Sequence, residues 1–361
     1  MRGSASGLSL ALAGLALVTL PWWSGDLYQL HLVSLIGAYW VLVAGLNLVV
    51  GFAGQLSIGH VGLLAVGAYG FAVLAGTLGL DPLLVLPLCG ALGGAAGLLL
   101  GLPSLRLPGF YFAMATMAFA LIVTELSLAW GGLTGGGTGL SVPGFPAPFH
   151  TPWGQYWLIL AIGAAVTAMT WGVARRMWGR ALIAVRDSEV AAASVGINVF
   201  RVKLTVFVFS GVTAGLGGAL FAALQTYITP DTFVFEIGLF FFVCIIIGGR
   251  GSILGPLIGT AVLTALPELV APLAKLGTFF YGLTLLIVVL LVPEGIGRLV
   301  EVLAARLRAE PHRSHEVRPD LARLRRALTA LAGASPPVGE TPPVGETPPP
   351  EAPALAREAL P

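Results

Sequence analysis

Stretches of fifteen to twenty-five almost uncharged residues follow one another along this chain with short polar breaks. They occur at about 8–23, 28–50, 57–77, 82–101, 109–130, 156–174, 204–228, 235–249, 252–272 and 277–297. A helix needs roughly 20 apolar residues to cross the hydrocarbon core of a bilayer. In lipid every backbone polar group must find an internal partner, so each stretch is expected to be a helix. Composition closes off the soluble alternative. Hydrophobic residues make up 57% of the chain and charged residues only 10%, against about a quarter charged in a soluble domain. The first stretch follows Arg2 and has the look of a signal peptide, but with so many stretches behind it we read it as a first membrane helix. The fold expected is an all-α polytopic membrane protein of about ten helices, some broken or short.

The basic residues orient it. With both termini in the cytoplasm, Arg2, Arg106, the run Arg175, Arg176, Arg180, Arg186, Arg201 and Lys203, then Arg250 and Arg298, all fall inside, and only Lys275 falls outside. The outside segment 131–155 has no lysine or arginine, as the positive-inside rule asks. Trp22, Trp23, Trp130, Trp153 and Trp178 sit near span ends, where an interfacial belt places them. Cys89 and Cys244 lie within apolar stretches and read as small buried hydrophobes. The spans therefore occupy 1–298. Residues 299–334, rich in Arg, Leu and Ala, suit a cytoplasmic amphipathic tail. In 335–361 the hexapeptide PPVGET occurs twice in succession, a low-complexity composition expected to be disordered.

Four segments carry polar chemistry. Asn47, Gly54, Gln55, Ser57 and His60 crowd a glycine-rich junction between two spans. Glycines let helices break, and broken helices build transporter sites; a plain polar turn with glycines for packing accounts for the same residues. Leu102–Gly109 leads into a span that carries Glu125 near its outer end. An intramembrane carboxylate is a functional candidate, and snorkelling explains it equally well. The loop Leu133–Leu140 is rich in glycine and has the means to cradle an anion through its N–H groups or to serve as a flexible connector. The basic loop 175–203 contains Arg180, Arg186, Glu189, Ala191, Ala192 and Gly196. There Asp187 or Ser188 can cap a short alanine-faced helix and Gly196 can end it, a shape suited to docking in a groove of another protein. No His, Cys, Asp and Glu spacing suits a metal and no nucleophile elbow is present, so no catalytic residue, metal or cofactor is assigned. Lys203 and Lys275 are the only lysines and neither follows a nucleotide-binding glycine loop, so any ATP used is hydrolysed by a separate subunit. Nothing in the distribution of arginines and aromatics points to nucleic acid.

Several stretches carry a family resemblance when taken in order: GLNLVVGFAGQLSIGHVGLLAVGAYG from Gly45, GLPSLRLPGFYFAMATMAFA from Gly101, LTGGGTGL from Leu133, GRALIAVRDSEVAAASVGINV from Gly179, YITPDTFVFEIG from Tyr227 and GGRGSILGPLIGT from Gly248. Over roughly 28–298 the chain resembles the LivM-type permease subunit of bacterial branched-chain amino acid ABC importers. The resemblance implies ABC importer permease architecture in the bacterial inner membrane. It implies a paralogous permease as partner, two cytoplasmic ATP-binding subunits that hydrolyse the ATP, a periplasmic or lipid-anchored binding protein, and surrounding lipid. It makes the segment around Arg180, Arg186, Glu189, Ala191, Ala192 and Gly196 the coupling loop, and Asn47, Gly54, Gln55, Ser57 and His60 candidates for the translocation pathway. Two positions depart from the family pattern. Val190 stands where the glutamate before the paired alanines is common, with Glu189 one place earlier, and Leu121 stands where relatives often carry an acid, which here comes as Glu125. Systems similar to this family import urea or short amides, which is the alternative substrate class. An ion-coupled secondary transporter would need central paired carboxylates, and no span shows them.

Overall fold

The computed structural model describes residues 26–107 and 109–270. The spans expected at 8–23 and 277–297, the Arg-rich tail and the proline-rich end lie outside the described residues. The other eight expected stretches fall largely within them. Seven helices there are long and apolar enough to cross a membrane.

The helices begin where the sequence supplies caps. Asp26 accepts from the Tyr28 N–H and opens α1, Leu27–Asn47. After α2, His60–Phe71, Asp81 accepts from Leu83 N and Pro82 takes the first turn of α3, Pro82–Ser104. Then come α4, Gly109–Ala129, and α5, Pro152–Arg175, which Thr151 caps through Gly154 N. The basic loop holds two helices, α6, Met177–Asp187, and α7, Glu189–Ser194. Asn198 caps α8, Val199–Gln225, through Arg201 N. The last two are α9, Phe235–Gly248, and α10, Gly255–Val270. Each cap satisfies one of the N–H groups that a helix start leaves without an intrahelical partner.

The first two spans end alike. α1 continues as a π-helix through Leu48–Phe52 and α2 through Ala72–Thr77. In each, a backbone N–H reaches five residues back, Ala53 to Leu48 O and Leu78 to Val73 O, both at 3.0 Å. A left-handed glycine then reverses the chain, Gly54 at φ +70° and Gly79 at φ +66°, a conformation that costs a side-chain-bearing residue more.

α8 is the axis of the bundle and packs against α1, α2 and α3. Lipid is as apolar as leucine, so close packing rather than water exclusion must hold membrane helices together. Here small residues bring backbones into contact. Gly93 and Gly97 of α3 face Gly211 and Gly215 of α8. A Cβ on Gly215 would lie 2.2 Å from the Cys89 carbonyl oxygen, and one on Gly93 would lie 2.3 Å from that of Gly211. Around α8 an aromatic cluster of Tyr39, Phe221, Phe233, Phe240 and Phe241 fills the space toward α9. α4 and α5 form the rim, and Phe110, Ile122 and Met169 point outward from them.

At the far end of α8, β1 (Leu140–Ser141) pairs antiparallel with β2 (Tyr227–Ile228), Leu140 opposite Ile228. The glycine loop before β1 is compact. The N–H groups of Gly135, Thr138 and Gly139 bond carbonyls of Gly131, Gly135 and Gly136, and Gly136 N bonds Thr134 Oγ1. Four of the N–H groups that an anion cradle at Leu133–Leu140 would draw on are bonded within the loop. The connector alternative is revised, because the strand pair fastens the loop to α8. Glu125 is exposed on the rim.

Candidate functional site

Between the π end of α1 and the start of α2, residues 53–59 cross the bundle with no regular structure. Their backbone is tied to α4 by Thr116, whose hydroxyl oxygen accepts from Ile58 N and Gly59 N at 3.3 Å each. Gly59 sits so close that a Cβ would lie 1.7 Å from the Thr116 carbonyl oxygen. At this crossing His60 is wholly enclosed. Its Nδ1 lies 2.8 Å from Ser57 Oγ and its Nε2 2.8 Å from Ser210 Oγ of α8. Phe207 meets the imidazole edge-on at 5.6 Å. Ser57, His60 and Ser210, all buried, thus satisfy one another.

Asn47 does a different job. It is buried at the last residue of α1. Its Nδ2 donates to the Ser252 carbonyl at 2.7 Å and its Oδ1 accepts from Gly251 N at 3.1 Å. One amide side chain therefore pins the glycine-rich turn between α9 and α10 onto α1. Asn47→Leu is expected to lower stability by about 1–3 kcal/mol, the cost of stranding buried backbone groups. Thermal unfolding in detergent checks it, and an unchanged midpoint would show that the turn finds other partners.

Gly54 and Gln55 face the loop that follows α5. They line an open cleft together with Arg186, Asp187, Ser188, Glu189 and Lys203. Arg186 Nη1 donates to the Gly51 carbonyl at 3.1 Å and Nε approaches Asp187 Oδ1 at 3.4 Å. Gly54 accommodates this side chain, since a Cβ there would lie 2.6 Å from Arg186 Cγ. Lys203 Nζ and Glu189 Oε1 are 2.6 Å apart, with the lysine side chain 9% exposed and the glutamate 58%. Gln55 is buried, and its Oε1 has no hydrogen-bond partner among the described residues.

α7 is built as a docking element would be. Ser188 Oγ accepts from Ala191 N at 3.2 Å to start it. Gly196, at φ +84°, ends it with paired bonds from Gly196 N to Ala193 O and from Ile197 N to Ala192 O, the Schellman arrangement. Ala192 is buried against the bundle, while Ala191 and Ala193 are exposed and Val190 and Val195 stand out at 82% and 74% exposure. Arg180 is exposed on α6.

The structure thus sorts the sequence candidates into three groups. Gly54 and Gln55 join Arg186 and Glu189 at the cleft. Asn47, Ser57 and His60 are spent on internal bonds, and Ala191, Arg180 and Gly196 lie outside the cleft lining. Reasoning from sequence missed Ser210 and Thr116, single hydroxyls in apolar runs, and the turn at Gly251–Ser252. It also missed the pairing of Lys203, although a lysine at the mouth of a span was a signal.

The family model described as branched-chain amino acid transport system / permease component matches residues 29–290. The chain belongs to this family. The high-affinity branched-chain amino acid transport system permease protein LivM of Salmonella typhimurium is 32% identical over 285 residues, covering 72% of this chain and 67% of its own. LivM of Escherichia coli matches to the same extent. The autoinducer 2 import system permease protein LsrC of Klebsiella pneumoniae is 31% identical over 236 residues, covering 61% of this chain and 64% of its own. No solved structure matches. The permease is a transport subunit, a multi-pass protein of the inner membrane, and as the permease component of an ABC importer it works with ATP-binding and substrate-binding partners.

Proposed function

We propose that this permease forms part of the inward pathway for branched-chain amino acids and that the segment 175–203 transmits the movement of an ATPase. ATP is hydrolysed by two partner subunits and not by this chain. A paralogous permease completes the pathway, and a periplasmic or lipid-anchored protein delivers the substrate. The observation that carries the reading is the double fastening of the 175–203 segment to the span ends, Arg186 to the Gly51 carbonyl and Glu189 to Lys203. A push on α7 then reaches both α1 and α8. The exposed Val190, Ala191 and Val195 form the face an ATPase groove would receive. Gly54 and Gln55 remain the pathway candidates that open on a cavity. Asn47, Ser57 and His60 hold the elements around it. The substrate class draws support from the names of the LivM relatives.

The test is reconstitution with the cognate ATPase and binding protein in vesicles, with uptake of labelled leucine and, in parallel, urea. Leucine uptake that vanishes without the ATPase is the expected result. Urea uptake alone would replace the substrate and keep the coupling. Leucine uptake that persists without ATP would overturn the coupling role of 175–203.

A further inference from the structure

The span α5 ends at Arg175, and the extended backbone of Arg176 turns the chain into α6. At this corner Arg175, Arg176, Met177 and Trp178 are all exposed, Met177 at 74% and Trp178 at 47%. The Arg175 guanidinium lies 4.3 Å from the ring centre of Trp171, one turn back in the span, which holds the cation at the end of the apolar segment. No Asp or Glu occurs between Glu125 and Asp187, whereas Arg175, Arg176, Arg180 and Arg186 all do. A methionine and a tryptophan left exposed beside two arginines, directly where a membrane span ends, match the layered chemistry of a leaflet surface. Tryptophan favours the headgroup level, and cations there are drawn to anionic lipid.

We propose that Arg175, Arg176, Met177 and Trp178 form a binding surface for an anionic phospholipid of the cytoplasmic leaflet. The two guanidinium groups hold its phosphate, and the two apolar side chains lie among its upper acyl carbons. The surface is separate from α7, the face assigned above to the ATPase. The proposal rests on the cytoplasmic orientation of 175–203.

The test uses the assembled transporter in detergent, titrated with fluorescent phosphatidylglycerol or phosphatidylcholine. Phosphatidylglycerol is expected to bind more tightly. R175Q/R176Q should weaken it about thirtyfold, the effect of two cations at a leaflet surface, while R175K/R176K keeps it within about threefold. M177A/W178A should weaken both lipids and keep their ratio. Should R175Q/R176Q fail to fold, 1 M salt on the unaltered transporter replaces it, since the screening length falls to about 3 Å and the preference for phosphatidylglycerol should collapse. A preference that survives both charge removal and salt overturns the proposal. So does an R175Q/R176Q transporter that sheds its ATPase subunits with its lipid preference intact, which would make the corner a protein contact.

Discussion

Gly215→Val is expected to prevent the permease from assembling its bundle. The new Cβ would lie 2.2 Å from the Cys89 carbonyl oxygen and 3.0 Å from the Gly93 Cα. Both are backbone atoms of α3, so no side chain can swing aside. Overpacking commonly costs about 1–3 kcal/mol when side chains can adjust. Here α3 and α8 must part, which also breaks the Gly93 and Gly211 contact next to it. The cost should reach the upper end of that range or beyond, read as loss of the monodisperse species in detergent. Gly172 supplies the contrast. It lies in α5, and a Cβ added there would meet nothing within 4 Å, so Gly172→Ala should be neutral or stabilise by up to about 1 kcal/mol through helix propensity. Equal behaviour of the two variants would show that the α3–α8 contact is not what holds the bundle.

The second large effect is expected at the Lys203–Glu189 pair, and it should be asymmetric. Lys203 is nine-tenths buried and Glu189 more than half exposed. Removing the lysine leaves a carboxylate that water can solvate. Removing the carboxylate leaves a buried cation facing an uncharged group, the more costly error. Lys203→Met, which keeps the apolar stem, should therefore spare stability, whereas Glu189→Gln lowers it. Both should reduce leucine uptake per ATP hydrolysed by about tenfold, equivalent to about 1.4 kcal/mol of lost coupling, while ATP hydrolysis continues. The exchanged pair Glu189→Lys with Lys203→Glu should recover part of the loss. An unchanged ratio of uptake to hydrolysis in both single variants would remove this pair from the coupling route.

Much of the fold was legible because lipid leaves few choices. The apolar stretches from 28 to 249 became helices with ends shifted by a few residues. The largest shifts have local causes. α5 begins at Pro152 because Thr151 caps it, and α8 begins at Val199, before the charges of Arg201 and Lys203, because Asn198 caps it there. Of the two caps read from sequence, Asp187 and Ser188, it is Ser188 that starts α7, and Gly196, read as its stop, ends it. α6 was missed because it is too short and too charged to register as a span, and its amphipathic face emerges only once Leu182 and Val185 pack on the bundle. Ser210 could not be found from sequence, since nothing in the run around it announces that His60 lies opposite.

The π turn at Leu48–Phe52 and the irregular segment after it set Asn47 and Gln55 apart. On a continuous α-helix, residues eight apart differ in azimuth by only about 80°, which puts both amides on one stripe of a helical wheel. A π turn carries more residues per revolution and slips that phase. The chain then reverses at Gly54, and the two amides look in different directions: Asn47 toward the turn before α10, Gln55 toward the cleft beneath α7. A wheel drawn through this span is in register up to Asn47 and out of register beyond it. The same correction applies past Ala72, where the second span ends in the same way.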